Sequence, residues 1–409
     1  MSSARPEAAK VLYLVDGLGL SGKTKAMVDL IAGLDRARYQ PSVICLDPEP
    51  SVLYDRLRDL GVGVEQVPCP DGLNLSVVAR LGAIAYQTRP QVIHCYNPRP
   101  MLYGGAVARA LRVPATLGTL SAFACLTPDG DYRFLPQKLV STSRRNRVRN
   151  RVATWLTRLL VTVSSTLGEN FCRYNGIDRR RLRVVPYGVD ATRFEQVTPE
   201  QVAAFRAKHG LPATGVIGSI GRLVEQKDYP TQLRAFALAA ARMPSLFMLL
   251  VGDGPLRAEL EALARELGIA NRVCFAGHTN EVPVAMRALD VFVLASKFEP
   301  YGVALLEAKA AGAAVVATRV NEIPEIFDQM SDRASSEPMG LLVPPEDPVA
   351  MADAFVRLAG DEPARRAMGA RAARDAQARH SLKAAIAAYQ NLYDEARGSP
   401  RESGTPLAF

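Results

Sequence analysis

Arg222 and Lys227 stand five residues apart in the stretch G-R-L-V-E-Q-K, which has the pattern of a loop between a strand and a helix. Two cations at that spacing, beside free helix N–H groups, could grip a diphosphate. Taken alone, they read equally well as two solvated loop charges. A second stretch, residues 296–307, reads S-K-F-E-P-Y-G-V-A-L-L-E and carries Glu299 ahead of an expected helix and Glu307 inside it. Pro300 suits a first helical turn, and Gly302 lets a ligand approach the backbone closely. Glu307 follows the apolar run 303–306, where a carboxylate needs a hydrogen-bonding partner. A pair of ribose hydroxyls would serve. Near the start of the chain, residues 17–24 read G-L-G-L-S-G-K-T, a full match to the phosphate-binding loop G-x-x-x-x-G-K-[ST]. A nucleoside triphosphatase of that kind also needs an acidic residue at the end of an apolar strand to hold Mg²⁺. The nearest candidate strand ends instead in Tyr96 and Asn97. The phosphate-loop reading, an ATPase or kinase, stays as the weaker alternative.

The elements that must position these residues follow from the hydropathy pattern. Short β-branched runs alternate with longer Ala/Leu-rich stretches of helical period, which implies parallel sheets built from β-α-β units. Strands are expected at 11–15, 42–46, 91–95, 113–116 and 160–163, and again at 216–220, 246–251, 273–275, 291–294, 314–317 and 341–343. Turn residues in V-V-P-Y-G-V-D-A-T-R, 184–193, separate the two series. The fold class expected is α/β, with two doubly wound Rossmann-like domains facing a cleft, and ligands beyond the carboxyl ends of the strands. The expected division is 1–186, 187–380, a last helix at 381–397 and a disordered tail at 398–409.

Composition narrows the classes. The chain has 409 residues, 48% of them apolar, enough for two or three packed domains. No apolar run approaches the ~18 residues of a spanning helix. Residues 1–10 hold no hydrophobic segment of signal-peptide type, so the chain is expected to be cytoplasmic. The six cysteines are scattered, which argues against a disulfide framework or structural zinc. Of the net charge of +9, residues 1–186 hold twenty-six Lys and Arg against fourteen Asp and Glu, while the remainder is slightly acidic.

In their order, these motifs resemble one family: the large retaining glycosyltransferases of GT-B fold usually called family four, the glycosyl transferases of group 1. The matching pieces are Gly221, Arg222, Leu223 and Lys227, the V-G-D-G-P turn at 251–255, Glu299 and Glu307, the A-x-A-A-G-A-A-V-V-A-T stretch at 308–318, Ile323-Pro324-Glu325-Ile326, and G-L-L-V-P at 340–344. The resemblance covers nearly the whole chain. It implies that residues 1–186 bind the acceptor and 187–380 the nucleotide sugar, and that the last helix crosses back to the first domain. It implies that Arg222 and Lys227 hold the donor diphosphate, Glu307 the ribose and Glu299 a sugar hydroxyl. The implied donor set extends to Gly221, Gly252, Tyr301, Gly302 and Val303, with backbone contacts to the base near Gly277 and His278. Ser21 and Gly22 match the small-residue loop that relatives place against the donor phosphate and the acceptor. On the acceptor side, His94 is at a position where His is frequent in the family, a hydrogen-bonded structural His being an equal alternative. Ser121, in the expected loop A-T-L-G-T-L-S-A-F after Pro114, stands where relatives often place a His, and a serine cannot replace its base function near neutrality. The chain also has Asn321-Glu322 where relatives commonly have Gly-Gly, and Tyr187 in place of the usual hinge Asn.

The reaction implied is transfer of a sugar to an acceptor hydroxyl with retained configuration, the acceptor being a glycan or a lipid-linked intermediate of cell-envelope or exopolysaccharide synthesis. Asp129-Gly130-Asp131 mimics a D-x-D metal site but reads as a turn, and no metal or other cofactor is expected because Arg222, Lys227 and helix N–H groups can neutralise the leaving diphosphate. Residues 144–158 carry Arg144, Arg145, Arg147, Arg149, Arg151 and Arg158 with Val148, Val152, Trp155, Leu156 and Leu159 at helical spacing. Such a helix could lie on an anionic membrane, which would make the protein peripheral on the inner face of the plasma membrane, or it could bury its apolar residues in the core. An arginine stripe is also a footprint for nucleic acid, but that reading explains none of the second-half motifs, and no nucleic-acid partner is expected.

Overall fold

The computed structural model describes residues 7–19, 21–47, 51–70, 74–120, 144–299, 301–328 and 338–398, with side chains 144–146 and 328 excepted. Ser121, the Asp129–Asp131 mimic, Pro300 and the expected tail beyond 398 lie outside them. Two compact units divide the chain: one takes the described residues up to 120, those from 144 to Tyr187 and those from Leu382 onward, and the other is Gly188–Ser381.

The first unit is a seven-stranded parallel sheet of β1 (Ala9–Val15), β2 (Tyr39–Cys45), β3 (Gly63–Gln66), β4 (Val92–Tyr96), β5 (Ala115–Leu120), β6 (Leu159–Thr162) and β7 (Leu182–Val184). Its order is β3-β2-β1-β4-β5-β6-β7, so the chain reverses direction across the sheet between β1 and β4. Central strands such as β1 (A-K-V-L-Y-L-V) and β4 (V-I-H-C-Y) read as nearly unbroken apolar runs because helices cover both faces. The strand expected at 113–116 is instead β5, 115–120, which runs on through residues expected as a loop and is buried throughout. Gly118 makes this possible, since a Cβ there would run into the Met101 side chain. The helix Leu382–Arg397 belongs to this unit: Tyr389, Leu392 and Tyr393 join its core, and Tyr13 Oη lies 2.7 Å from Tyr393 Oη. The alternative in which the apolar residues of 144–158 all pack inward does not hold, because Val148, Val152 and Trp155 are exposed.

The second unit repeats the plan in six parallel strands, β8 (Val216–Ile220), β9 (Phe247–Val251), β10 (Val273–Gly277), β11 (Val291–Leu294), β12 (Ala314–Thr318) and β13 (Leu341–Val343). The order β10-β9-β8-β11-β12-β13 places its reversal between β8 and β11. The switch point beyond the carboxyl ends of those two strands is the usual ligand position in such sheets. The segments that leave them there are 221–227 and, among the described residues, 295–299 and 301–302.

Candidate donor and acceptor sites

In the second unit, Gly221 N donates to Val251 O at 2.9 Å, Leu223 N to Asp253 O at 3.0 Å and Gly252 N to Gly277 O at 2.8 Å, so the exits of β8, β9 and β10 are stitched together. Gly252 is required twice over. Its φ of +130° disfavours any residue with a side chain, and an added Cβ would overlap the Gly221 carbonyl oxygen. Arg222 is exposed, and its side chain makes no hydrogen bond or ion pair among the described residues. The Gly277 carbonyl is used by Gly252, and His278 beside it is exposed.

Lys227 closes a single 3₁₀ turn, Glu225–Lys227, and its Nζ donates to the Glu299 carboxylate from across the switch point. Around this pair the loops are zipped: Lys297 N donates to Gln226 O at 2.9 Å, and Gln226 Nε2 to Phe298 O at 3.1 Å. Ser296 Oγ donates to Glu299 Oε2 at 3.0 Å, and Asn321 Oδ1 accepts from Glu299 N at 3.0 Å. Asn321, with φ +46°, takes the left-handed conformation that suits the Gly of relatives, and its side chain then caps the Glu299 backbone. Glu322 is buried, and burial, reinforced by the neighbouring Glu325 and Glu299 charges, raises its carboxyl well above the ordinary range. Tyr301 is buried, and Gly302, with φ +84°, caps the helix Val303–Ala310, whose first free N–H groups begin at Val303. Glu307 lies in the second turn of that helix and is buried.

Of the donor residues expected from sequence, Gly221, Arg222, Lys227, Gly252, Gly277, His278, Glu299, Tyr301, Gly302, Val303 and Glu307 lie at or just beyond the exits of β8, β9, β10 and β11 in the second unit, whereas Ser21 and Gly22 lie in the first. The Lys227–Glu299 pair was missed. Opposite charges at the exits of two strands become neighbours once the strand order is known, which is the one signal that could have found it.

In the first unit, Val15, Asp16, Gly17, Lys23, Thr24, Met27, Tyr96 and Asn97 line a small hollow at the switch point between β1 and β4. Burial raises the Asp16 carboxyl, against the pull of Arg99, whose Nη1 lies 3.8 Å away. Arg99 grips Asp47 with two hydrogen bonds, of 2.7 and 2.9 Å. Ser21 is the N-cap of the helix Gly22–Gly33 and exchanges bonds with Thr24 in a capping box. This closure counts against the phosphate-loop alternative. The Thr24 hydroxyl, which such a loop would offer to Mg²⁺, is buried and donates to Gly19 O.

His94 does not reach a surface where an acceptor could touch it. It is wholly buried, with Nδ1 2.8 Å from Tyr393 Oη and Nε2 2.7 Å from Thr119 Oγ1. Burial pushes its pKa down to about 3, so the ring is neutral. The structural alternative fits this geometry: His94 ties β4 and β5 to the last helix.

The family model described as "Glycosyltransferase Family 4" matches residues 21–193, and that described as "Glycosyl transferases group 1" matches residues 201–375. A 2-deoxystreptamine glucosyltransferase of Streptomyces kanamyceticus is 31% identical over 243 residues, 58% of this chain and 61% of that protein. The lipopolysaccharide core biosynthesis glycosyltransferase LpsE of Rhizobium meliloti is 36% identical over 196 residues, 48% of this chain and 54% of that one. The chain thus spans about half to three fifths of the length of these curated relatives. Anabaena Alr3699/HepE, solved in complex with UDP, shares the fold at a TM-score of 0.78, with 20% identity over 94% of this chain and 100% of that one. With matches running through both units in the family's order, this chain belongs to the glycosyl transferases of group 1.

Proposed function

We propose that the chain is a retaining glycosyltransferase that moves a sugar, a hexose in the first instance, from a nucleotide diphosphate sugar to an acceptor hydroxyl. The observation that carries this is the Lys227–Glu299 pair at the switch point of the second unit, with the exposed Arg222, whose guanidinium has no partner among the described residues, on the same loop. Arg222 and Lys227 take the charge that develops on the leaving diphosphate, together with the N–H groups that begin at Val303. Glu299, held by Lys227, Ser296 and Asn321, accepts from a sugar hydroxyl, and Glu307 from the ribose. The bond from the anomeric carbon to the diphosphate breaks, the acceptor oxygen forms the new glycosidic bond on the same face, and its proton passes to the departing phosphate. No metal or other cofactor enters this scheme. HepE is described in complexes with UDP and with UDP-glucose, which supports a donor of that class. The Asp16–Asn97 hollow is the acceptor side of the reading, and LpsE, named for lipopolysaccharide core synthesis, supports a glycan or lipid-linked acceptor in envelope or exopolysaccharide assembly. Such an acceptor places the enzyme in the cytoplasm, peripheral on the inner face of the plasma membrane.

Thermal-shift screening against a panel of nucleotide sugars tests the reading. A ligand at a hundred times its Kd stabilises by about 2.7 kcal/mol, which is readily seen as a raised melting temperature. At least one nucleotide sugar should produce it, and Arg222→Ala and Glu307→Ala should abolish it. Stabilisation by ATP with Mg²⁺ and by none of the sugars would overturn the proposal.

A further inference from the structure

The helix Arg144–Leu156 turns its large apolar side chains outward. Val148, Val152 and Trp155, at i, i+4 and i+7, share one face and are 53%, 41% and 59% exposed. The packed face carries Asn150, Ala153 and Thr154, all buried. Gly105 in the neighbouring helix Pro98–Ala110 lies so near that a Cβ there would come within 2.6 Å of the Leu156 Cβ, so the two helices pack closely at that end. The polar groups on that face are satisfied, with Asn150 Nδ2 donating to Asn175 Oδ1 at 3.1 Å and Thr154 Oγ1 to Asn150 O at 2.8 Å.

Arginines surround the exposed ridge. The Arg109 guanidinium stacks 4.3 Å from the Trp155 ring centroid, Arg147 lies 5.7 Å from that of Tyr174, and Arg151 donates to Asn175 O. Arg149 and Arg158 are exposed on either side. Residues 144–183 hold eleven arginines against two acidic residues, Glu169 and Asp178.

We propose that this face docks on an anionic lipid bilayer. The helix lies in the headgroup plane, Trp155, Val152 and Val148 enter the boundary with the acyl chains, and the arginines meet lipid phosphates. Among the described residues no helix is long and apolar enough to cross a membrane, so the contact is one of lying on the surface. A tryptophan flanked by cations suits that boundary, with an apolar ring body and a polar edge. Charge selects this occupant over a second copy of the chain, because two such faces pressed together would oppose arginine to arginine. A nucleic-acid backbone would answer the arginines and leave the valines without a partner. Docking uses none of the donor-site residues, so it stands or falls apart from the transferase reading.

Trp155 is the chain's single tryptophan, so its emission reports on this face alone. The full chain is titrated with phosphatidylcholine vesicles with and without phosphatidylglycerol. The anionic vesicles should shift the emission to the blue, brominated acyl chains should quench it, and added salt should weaken the binding. Pure phosphatidylcholine should leave it unchanged. V148D/V152D keeps the reporter and should lose the shift while retaining the circular dichroism of the parent. R149Q/R158Q, which leaves the apolar ridge intact, should weaken binding about 25-fold, from about fivefold per arginine. The proposal is overturned if anionic vesicles leave the emission unmoved, if V148D/V152D binds like the parent, or if single-stranded RNA or lipid-free self-association produces the same shift.

Discussion

Lys309 and Asp375 form an ion pair with side chains only 2% and 0% exposed, joining the helix that carries Glu307 to the helix Glu362–Arg379. Lys309 Nζ donates to the Asp375 carboxylate and, at 3.3 Å, to Ile326 O, so the one ammonium ties three helices. Burial pulls the Lys309 pKa down, and the facing Asp375 opposes that pull. Lys309→Met keeps the length of the side chain and leaves Asp375 buried without its main cation. Breaking a buried pair in this way costs about 3–5 kcal/mol. Arg379, with Nε 3.4 Å from Asp375 Oδ1 but a side chain 42% exposed, offsets part of it, which places the expected loss near the lower end, at about 3 kcal/mol. For a unit of this size each kcal/mol moves the midpoint by about 2–4 °C, so the variant should melt about 6–12 °C below the parent. K309M/D375L removes both charges and should recover the parent's stability or exceed it, since apolar side chains of similar volume replace such pairs without loss. Thermal and urea denaturation of the parent, both single variants and the double variant supply the cycle. The reasoning is refuted if Lys309→Met melts within about 2 °C of the parent, or if the double variant is as unstable as the single ones.

Two further outcomes follow from the geometry. Gly252→Ala combines a backbone conformation that costs about 1–3 kcal/mol with an overlap against the Gly221 carbonyl, so it should lower the melting temperature. By displacing the loop that carries Arg222, it should also cut kcat/KM for the donor about 10²-fold. A variant that melts and turns over like the parent would disprove the role given to the crossing of the two loops. His94 titrates near 3 when folded and about 6.5 when unfolded, so below the unfolded value the unfolded chain binds the extra proton. Its contribution is complete above about pH 6.5 and is lost as pH falls toward 3, with a slope approaching 1.4 kcal/mol per pH unit. Glu322, raised on folding, gives a slope of opposite sign between its unfolded and folded values, so the test is the difference between the parent and His94→Gln rather than the parent's profile alone. A difference that stays constant from pH 7 to about pH 5 would remove His94 from the account.

How much of this could be read in the residues depended on where each fact resides. β8, β9, β11 and β12 announce themselves as V-I-G-S-I, F-M-L-L-V, V-F-V-L and A-V-V-A-T, because a parallel strand covered on both faces is apolar along most of its length. β3, G-V-E-Q, and β7, L-R-V, sit at the sheet edges, are short, and carry no such pattern. Of the stretch A-T-L-G-T-L, only Ala115 and Thr116 read as strand, and the family pattern places a loop after Pro114. What makes it β5 is the Met101 side chain filling the space beside Gly118, a contact between separate elements. The same division runs through the site. The spacing of Arg222, Lys227, Glu299 and Glu307 is local and was legible; the bond between Lys227 and Glu299 depends on β8 and β11 lying side by side, which only strand order decides. Nothing near Lys309 in the sequence marks it, since its partner is sixty-six residues away. The arginine-rich helix shows the limit most sharply. Helical period assigns Val148, Val152 and Trp155 to one face and Asn150, Ala153 and Thr154 to another, and hydrophobicity alone would bury the first. Burial went to the second, whose polar atoms find partners in Asn175 and in the helix backbone, contacts that the period of the helix does not disclose.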